Sequence, residues 1–240
     1  MTDRIHSWLV PGLFAAGAAL AMPPAIAQEA ATDPAALTDG ELAEGDEALE
    51  LELAAVEPAA PLPPTVQDVT PDVIASLRDF INTEIVRASI VNQNRKYAGM
   101  TESRIIELDD KWRAERKSDD QPLISATLTN PLSSYLTRVQ AHNVGLYTEM
   151  FVMDANGLNV GQSNITSDYW QGDEAKFQKT YPAGPDAVFV DEPEFDDEMG
   201  IWRIQVNMAI ADETGSQAIG AVTVELNLSE LQRRQQMGTL

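Results

Sequence analysis

The sequence predicts an α+β domain in which helices, gathered on the N-terminal side, cover one antiparallel sheet of five strands. Three observations lead there. Apolar residues recur with a helical period from Val73 to Val139, the pattern changes to aromatic and β-branched alternation past Asn143, and hairpin-type turns punctuate the second half at Asp154–Gly157 and Asp212–Gly215. Helices first and hairpin-linked strands second segregate the two layers instead of alternating them.

Taken in order, Thr70 offers a hydroxyl N-cap, Pro71 suits the first helical position and Asp72 the first turn. One long helix is expected from there to about Tyr97, its apolar face being Val73, Leu77, Phe80, Ile81, Ile85, Ala88 and Val91, with Gly99 interrupting it. Thr101 caps a second helix carrying Ile105, Leu108 and Trp112, and Asn130-Pro131 opens a third with Leu132, Tyr135, Leu136 and Val139. The strands are Leu146 to Met153, a return to about Ser163, Ala187 to Val190, Ile201 to Ile210, and Ala218 to Asn227; Gln171 to Tyr181 reads as a short helix or ordered loop. Ser229 is the expected cap of a terminal polar helix with Arg233 and Arg234.

Ahead of this domain, Arg4 and His6 precede an apolar run from Trp8 to Met22, and Ala25-Ile26-Ala27 supplies small residues at a cleavage site. That is the layout of a secretory signal peptide over residues 1–27, and Pro11 and Gly12 break the run short of the roughly 20 residues a spanning helix needs. Export to the periplasm is therefore expected. Residues 28–69 read as a disordered arm rich in Ala and Pro: between Gln28 and Pro64 stand ten carboxylates with no Lys, Arg or aromatic residue, so burial has nothing to set against ordering entropy. Residues 70–240 form the one domain. The formal net charge of −22 makes nucleic acid and anionic lipid surfaces poor partners.

Catalysis by an activated nucleophile finds no equipment, because the part after the leader has a single histidine, His142, and no cysteine. The chain is read as no enzyme and as needing no cofactor. Seven carboxylates crowd residues 186–198, a pattern that fails the EF-hand spacing and reads as a solvated loop, so no metal site is assigned. Asp168, Tyr169, Trp170 and Lys176 place aromatics beside charged groups just after a strand, the mixture a small-molecule site needs. The same aromatics serve equally to pack the linking segment onto the sheet.

Phe151-Val152-Met153-Asp154-Ala155-Asn156-Gly157, Asp168-Tyr169-Trp170, Met208-Ala209-Ile210-Ala211-Asp212 and Ile219-Gly220-Ala221-Val222, following a long helix, resemble the extracytoplasmic Cache (PDC, PAS-like) sensor domains. The resemblance covers about Pro71 to Leu231. It implies a central antiparallel sheet on a long N-terminal helix, with a pocket between the sheet and the segment linking its second and third strands. The ligands it implies are small: organic acids, amino acids or related metabolites. Amino-acid-binding relatives carry Arg-x-Trp-Tyr in the linking segment, where this sequence reads Ser167-Asp168-Tyr169-Trp170 and lacks the arginine. Arg203 and Lys176 are the cations available to an anionic ligand, and Glu225 stands where similar domains often have an Asp that meets an ammonium group. Arg203 beside Trp202 also reads as a surface stacking pair.

Such sensors normally sit between two membrane spans, whereas no second apolar window of that length follows here. The expectation is a stand-alone binding and sensing protein that hands its ligand state to a membrane receptor partner, with a homodimer through the long helix. The alternative is a non-catalytic adaptor with a vestigial pocket.

Overall fold

The helical period that begins at Val73 breaks once before it reaches the sheet. In the computed structural model, which describes residues 65–239, the expected long helix is two: α1 (Pro71–Ile81) and α2 (Glu84–Lys96). These residues belong to the second of two units of the chain, Glu57–Leu240; the proposed leader and most of the acidic arm lie outside the described residues. A 3-10 turn at Val66–Asp68 precedes Thr70, whose hydroxyl accepts the Val73 N–H as expected of an N-cap. At Thr83 the backbone is extended (φ −107°, ψ 158°), and a new helix starts from it. The break shifts the apolar stripe by one position. Val73, Leu77 and Ile81 are buried in α1, but in α2 the buried residues are Val86 and Ile90, while Ala88 and Val91 are exposed.

Then follow α3 (Glu102–Glu115), α4 (Pro122–Leu128), α5 (Pro131–His142), β1 (Tyr147–Met153), β2 (Asn159–Gln162), α6 (Ala175–Gln178), β3 (Val188–Val190), β4 (Glu194–Asp196), β5 (Ile201–Ala211), β6 (Ala218–Asn227) and α7 (Leu228–Met237). The sequence pattern missed α4, whose first turn is held from outside. Glu115 in α3 accepts the N–H groups of Leu123 and Ile124 on Oε2 at 2.7 and 3.0 Å, a carboxylate on two free donors of a helix start. Helix α7 is capped by Asn227, which accepts the Glu230 N–H, and not by Ser229.

The sheet is antiparallel, with order β2-β1-β6-β5-β3. It has six strands where five were expected, because β4, inside the acidic run, pairs with the start of β5. One face is apolar: Met150, Val152, Val206, Met208, Val222 and Val224 form a core with the buried sides of α1, α2, α5 and α7. Close approach there needs Gly220, where a Cβ would collide with the Met153 carbonyl and press on Ile90. Among the described residues no helix is long and apolar enough to cross a membrane.

The shifted stripe separates two neighbouring residues. Ile90→Ala should cost about 2–5 kcal/mol, since it empties a fully buried site. Val91→Ala, at a position 40% exposed, should stay within about 0.5 kcal/mol. Urea unfolding of both variants checks this; a larger loss at Val91 would restore the unbroken helix.

Candidate functional site

The sheet face turned away from the helical core carries the polar residues. Strand alternation places Glu149, Phe151 and Met153 of β1, Ala221, Thr223 and Glu225 of β6, and Arg203, Gln205 and Asn207 of β5 on it. The segment between β2 and β3 lies over part of this face. Phe177 of α6 packs with Phe151, Met153 and Ala221 and stacks on Tyr181 at 5.1 Å. Lys176 runs across the Phe151 ring, 5.4 Å from its centroid, and pairs with Glu174 at 3.0 Å.

Beside this packing lies a cleft of about 460 Å³, bounded by Glu174 and Lys176 of the linking segment, by residues 191–194, and by Arg203, Gln205 and Glu225 of the sheet. Arg203 reaches Glu225 Oε1 with Nη1 at 3.1 Å and lies 3.2 Å from Asp196 through Nε. Glu225 also accepts hydrogen bonds from Thr148 Oγ1 at 2.7 Å and from Gln205 Nε2 at 3.2 Å. Asn207, fully buried, accepts from Thr223 Oγ1, while its Nδ2 finds no acceptor among the described residues. Among the residues bounding the cleft, Glu174, Asp191, Glu192, Glu194 and Glu225 face only Lys176 and Arg203, so the cleft's field is negative.

Glu149 is the residue that sequence reasoning missed. Its register partner across β1 and β6 is Glu225, and burial, followed by that neighbouring charge, pushes its carboxyl up to about 7 in spite of Lys176, Arg203 and Arg116. Only its place opposite Glu225 marks it, and pairing between strands 76 residues apart is not written in local pattern.

Of the six residues singled out from the sequence, the structure gathers three, Lys176, Arg203 and Glu225, around this cleft. The other three belong to the α3–α4 layer. Asp168 pairs with Arg113 at 2.8 Å. Tyr169 is buried, stacked on Trp112 at 5.2 Å, and packs with Ile105, Leu108, Ile124 and Leu158. Trp170, half-buried, donates from Nε1 to the Asn156 carbonyl and closes over Gly172, where any Cβ would strike the indole. These aromatics hold the linking segment in place, the packing role weighed from the sequence. Asp109, a buried carboxylate of α3, positions them: Oδ1 accepts the N–H groups of both Tyr169 and Trp170, and Oδ2 meets Arg113. The Arg203–Trp202 stacking pair is not formed; Trp202 packs edge-on against Phe195 instead. His142 is exposed, with Nδ1 on the Arg138 carbonyl of its own helix. Among the described residues no group of three His, Cys, Asp or Glu is arranged to hold a metal ion.

Two measurements follow from these contacts. Asp109→Ala strands two backbone donors and Arg113, so urea unfolding should show a loss of about 1–3 kcal/mol; an unchanged midpoint would remove Asp109 as the anchor. For Glu149, the folded protein binds the proton more tightly than the unfolded chain, so stability is highest below the ordinary carboxyl range and falls as pH rises toward about 7. Glu149→Gln should therefore gain on the parent at pH 8 and converge with it near pH 4. Parallel stability curves would contradict the burial of this carboxyl.

No family model matches the sequence, and no curated protein matches it. Solved structures are similar. The ligand-binding domain of the Pseudomonas aeruginosa amino acid chemoreceptor PctC, in complex with GABA, is 14% identical over 68% of this chain and 63% of that one, with a TM-score of 0.31. That of the Campylobacter jejuni chemoreceptor Tlp3, in complex with 4-methylisoleucine, is 16% identical over 65% of each chain, with a TM-score of 0.31. That of the Pseudomonas fluorescens chemoreceptor CtaA, in complex with L-serine, is 15% identical over 66% and 62%, with a TM-score of 0.27. The chain thus spans less than two thirds of the length of each of these structures.

Proposed function

We propose that this protein is an extracytoplasmic small-molecule binding and sensing module whose ligand occupies the cleft between the polar sheet face and the segment joining β2 to β3. One observation carries the reading: charged side chains from separate elements, Lys176 of α6, Arg203 of β5 and Glu225 of β6, converge on a cleft of about 460 Å³, within the size range of small-molecule sites. Their chemistry suits a ligand bearing both an anionic and a cationic group, an amino acid or related metabolite. Lys176 and Arg203 would meet the first and the surrounding carboxylates the second. No catalytic step is assigned to the cleft. In this reading residues 1–27 direct export to the periplasm, 28–69 form a spacer arm, and 70–240 bind the ligand and report to a membrane partner, with a homodimer forming through the N-terminal helices.

A thermal-shift screen against organic acids, amino acids, amines and divalent cations tests it, because a ligand that binds only the folded state raises the melting temperature. One chemical class should raise it by several degrees, and Lys176→Met should lose that shift. Trp170→Ala, away from the cleft, should keep it. A shift lost in Trp170→Ala and kept in Lys176→Met would move the site to the α3–α4 layer; a flat screen would favour the adaptor.

A further inference from the structure

The carboxylates in and beside the cleft do not share its cations evenly. Between Tyr147, paired with Leu226, and Glu149, paired with Glu225, strand β1 has one extra residue, a bulge that brings Thr148 and Glu149 together opposite Glu225. Directly opposed side chains of an antiparallel pair stand about 4.5–5.5 Å apart at Cβ, and like charges there repel. Glu225 has drawn the local donors to itself: Thr148 Oγ1 and Arg203 Nη1 on Oε1, Gln205 Nε2 on Oε2. The remaining cations are engaged as well. Lys176 pairs with Glu174, the Arg203 Nε leans on Asp196, and Arg116, the residue that ends α3, donates to the Ser167 carbonyl. Glu149, half-buried opposite Glu225 and beside the residues that bound the cleft without being one of them, has no hydrogen bond or ion pair among the described residues. Glu149 is left without a cation of its own.

We infer that Glu149 exchanges a proton for a cation: an ammonium or guanidinium group entering the cleft takes the place of the proton that this carboxyl otherwise binds. This rests on the cleft being the ligand site. In the exchange the carboxyl O–H bond breaks, the proton passes to solvent, and the carboxylate pairs with the incoming cation, so charge balances. The groups facing Glu149 from the elements packed around it are Glu225 of β6, Arg203 of β5, Lys176 of α6 and Arg116 at the end of α3. The three cations favour the ionised form, yet burial and Glu225 prevail over them. Binding of a cation is then linked to pH. Its affinity should rise by up to about tenfold per pH unit below the Glu149 midpoint and level off above it. The exchange would make the cleft respond to proton concentration and to ligand through one carboxyl.

Carbon-13 NMR of glutamate-labelled protein, titrated with and without 1,4-diaminobutane, tests this. One glutamate carboxyl should titrate near neutral pH, disappear in Glu149→Gln, and move to a lower midpoint with the diamine but not with 1,4-butanediol. Should Glu149→Gln fail to fold, Glu225→Gln identifies the same signal by lowering its midpoint. All glutamates titrating in the ordinary carboxyl range would overturn the inference. So would a near-neutral midpoint that the diamine leaves in place, and if Lys176 still governed a thermal shift from another compound, the cleft reading would survive it. Conversely, a ligand-induced thermal shift lost in Trp170→Ala and kept in Lys176→Met would overturn the cleft reading and the exchange that rests on it, even with one glutamate titrating near neutral pH.

Discussion

The junction between the helical layer and the sheet depends on one buried carboxylate, Asp154, at the turn between β1 and β2. Its Oδ1 accepts the N–H groups of Asn156 and Leu158, which closes the turn, and its Oδ2 accepts from Gln93 Nε2 of α2. Burial raises its proton affinity, and those same hydrogen bonds pull it back toward the ionised form. The next residue of α2 completes the joint: Asn94 accepts the Ala155 N–H and donates to the Ile219 carbonyl at 2.7 Å, tying the hairpin to the start of β6. Such buried polar links are costly unless fully paired, so they admit one register of helix on sheet.

That register explains the break in the N-terminal helix. For Gln93 and Asn94 to reach the turn, the inward side of α2 must run through Val86 and Ile90, a phase that an unbroken helix from Val73 does not supply. Restarting the helix at Thr83 supplies it. The sheet is thereby covered on one face by apolar packing and left with its polar face for the linking segment.

The two ends of the linking segment do different work. Its first part is anchored on α3, where Asp109, Trp112 and Arg116 hold the backbone of residues 166–170. Its second part, α6, lies on the sheet through Phe177 and brings Lys176 to the cleft. The first part is thus fixed on the helical layer, while the second rests on the sheet through one short helix of four residues that forms one side of the cleft.

Local pattern determined the α+β class, the helix starts at Thr70 and Asn130, the hairpin at Asp154–Gly157 and the bounds of β6, because caps, turns and side-chain periods are short-range properties. Lys176 and Arg203 stand out in it as cations open to an anionic ligand, and Glu225 only through the family resemblance; that the three lie around one cleft is a matter of tertiary structure. What tertiary structure decided was everything set by distant neighbours. Tyr169 and Trp170 are packing because Trp112 and Asp109 meet them from 57 and 61 residues away; β4 is a strand because β5 offers it an edge; and Glu149 matters because a bulge sets it against Glu225. A carboxyl's charge state depends on what burial and register place beside it, and no window of sequence contains that information.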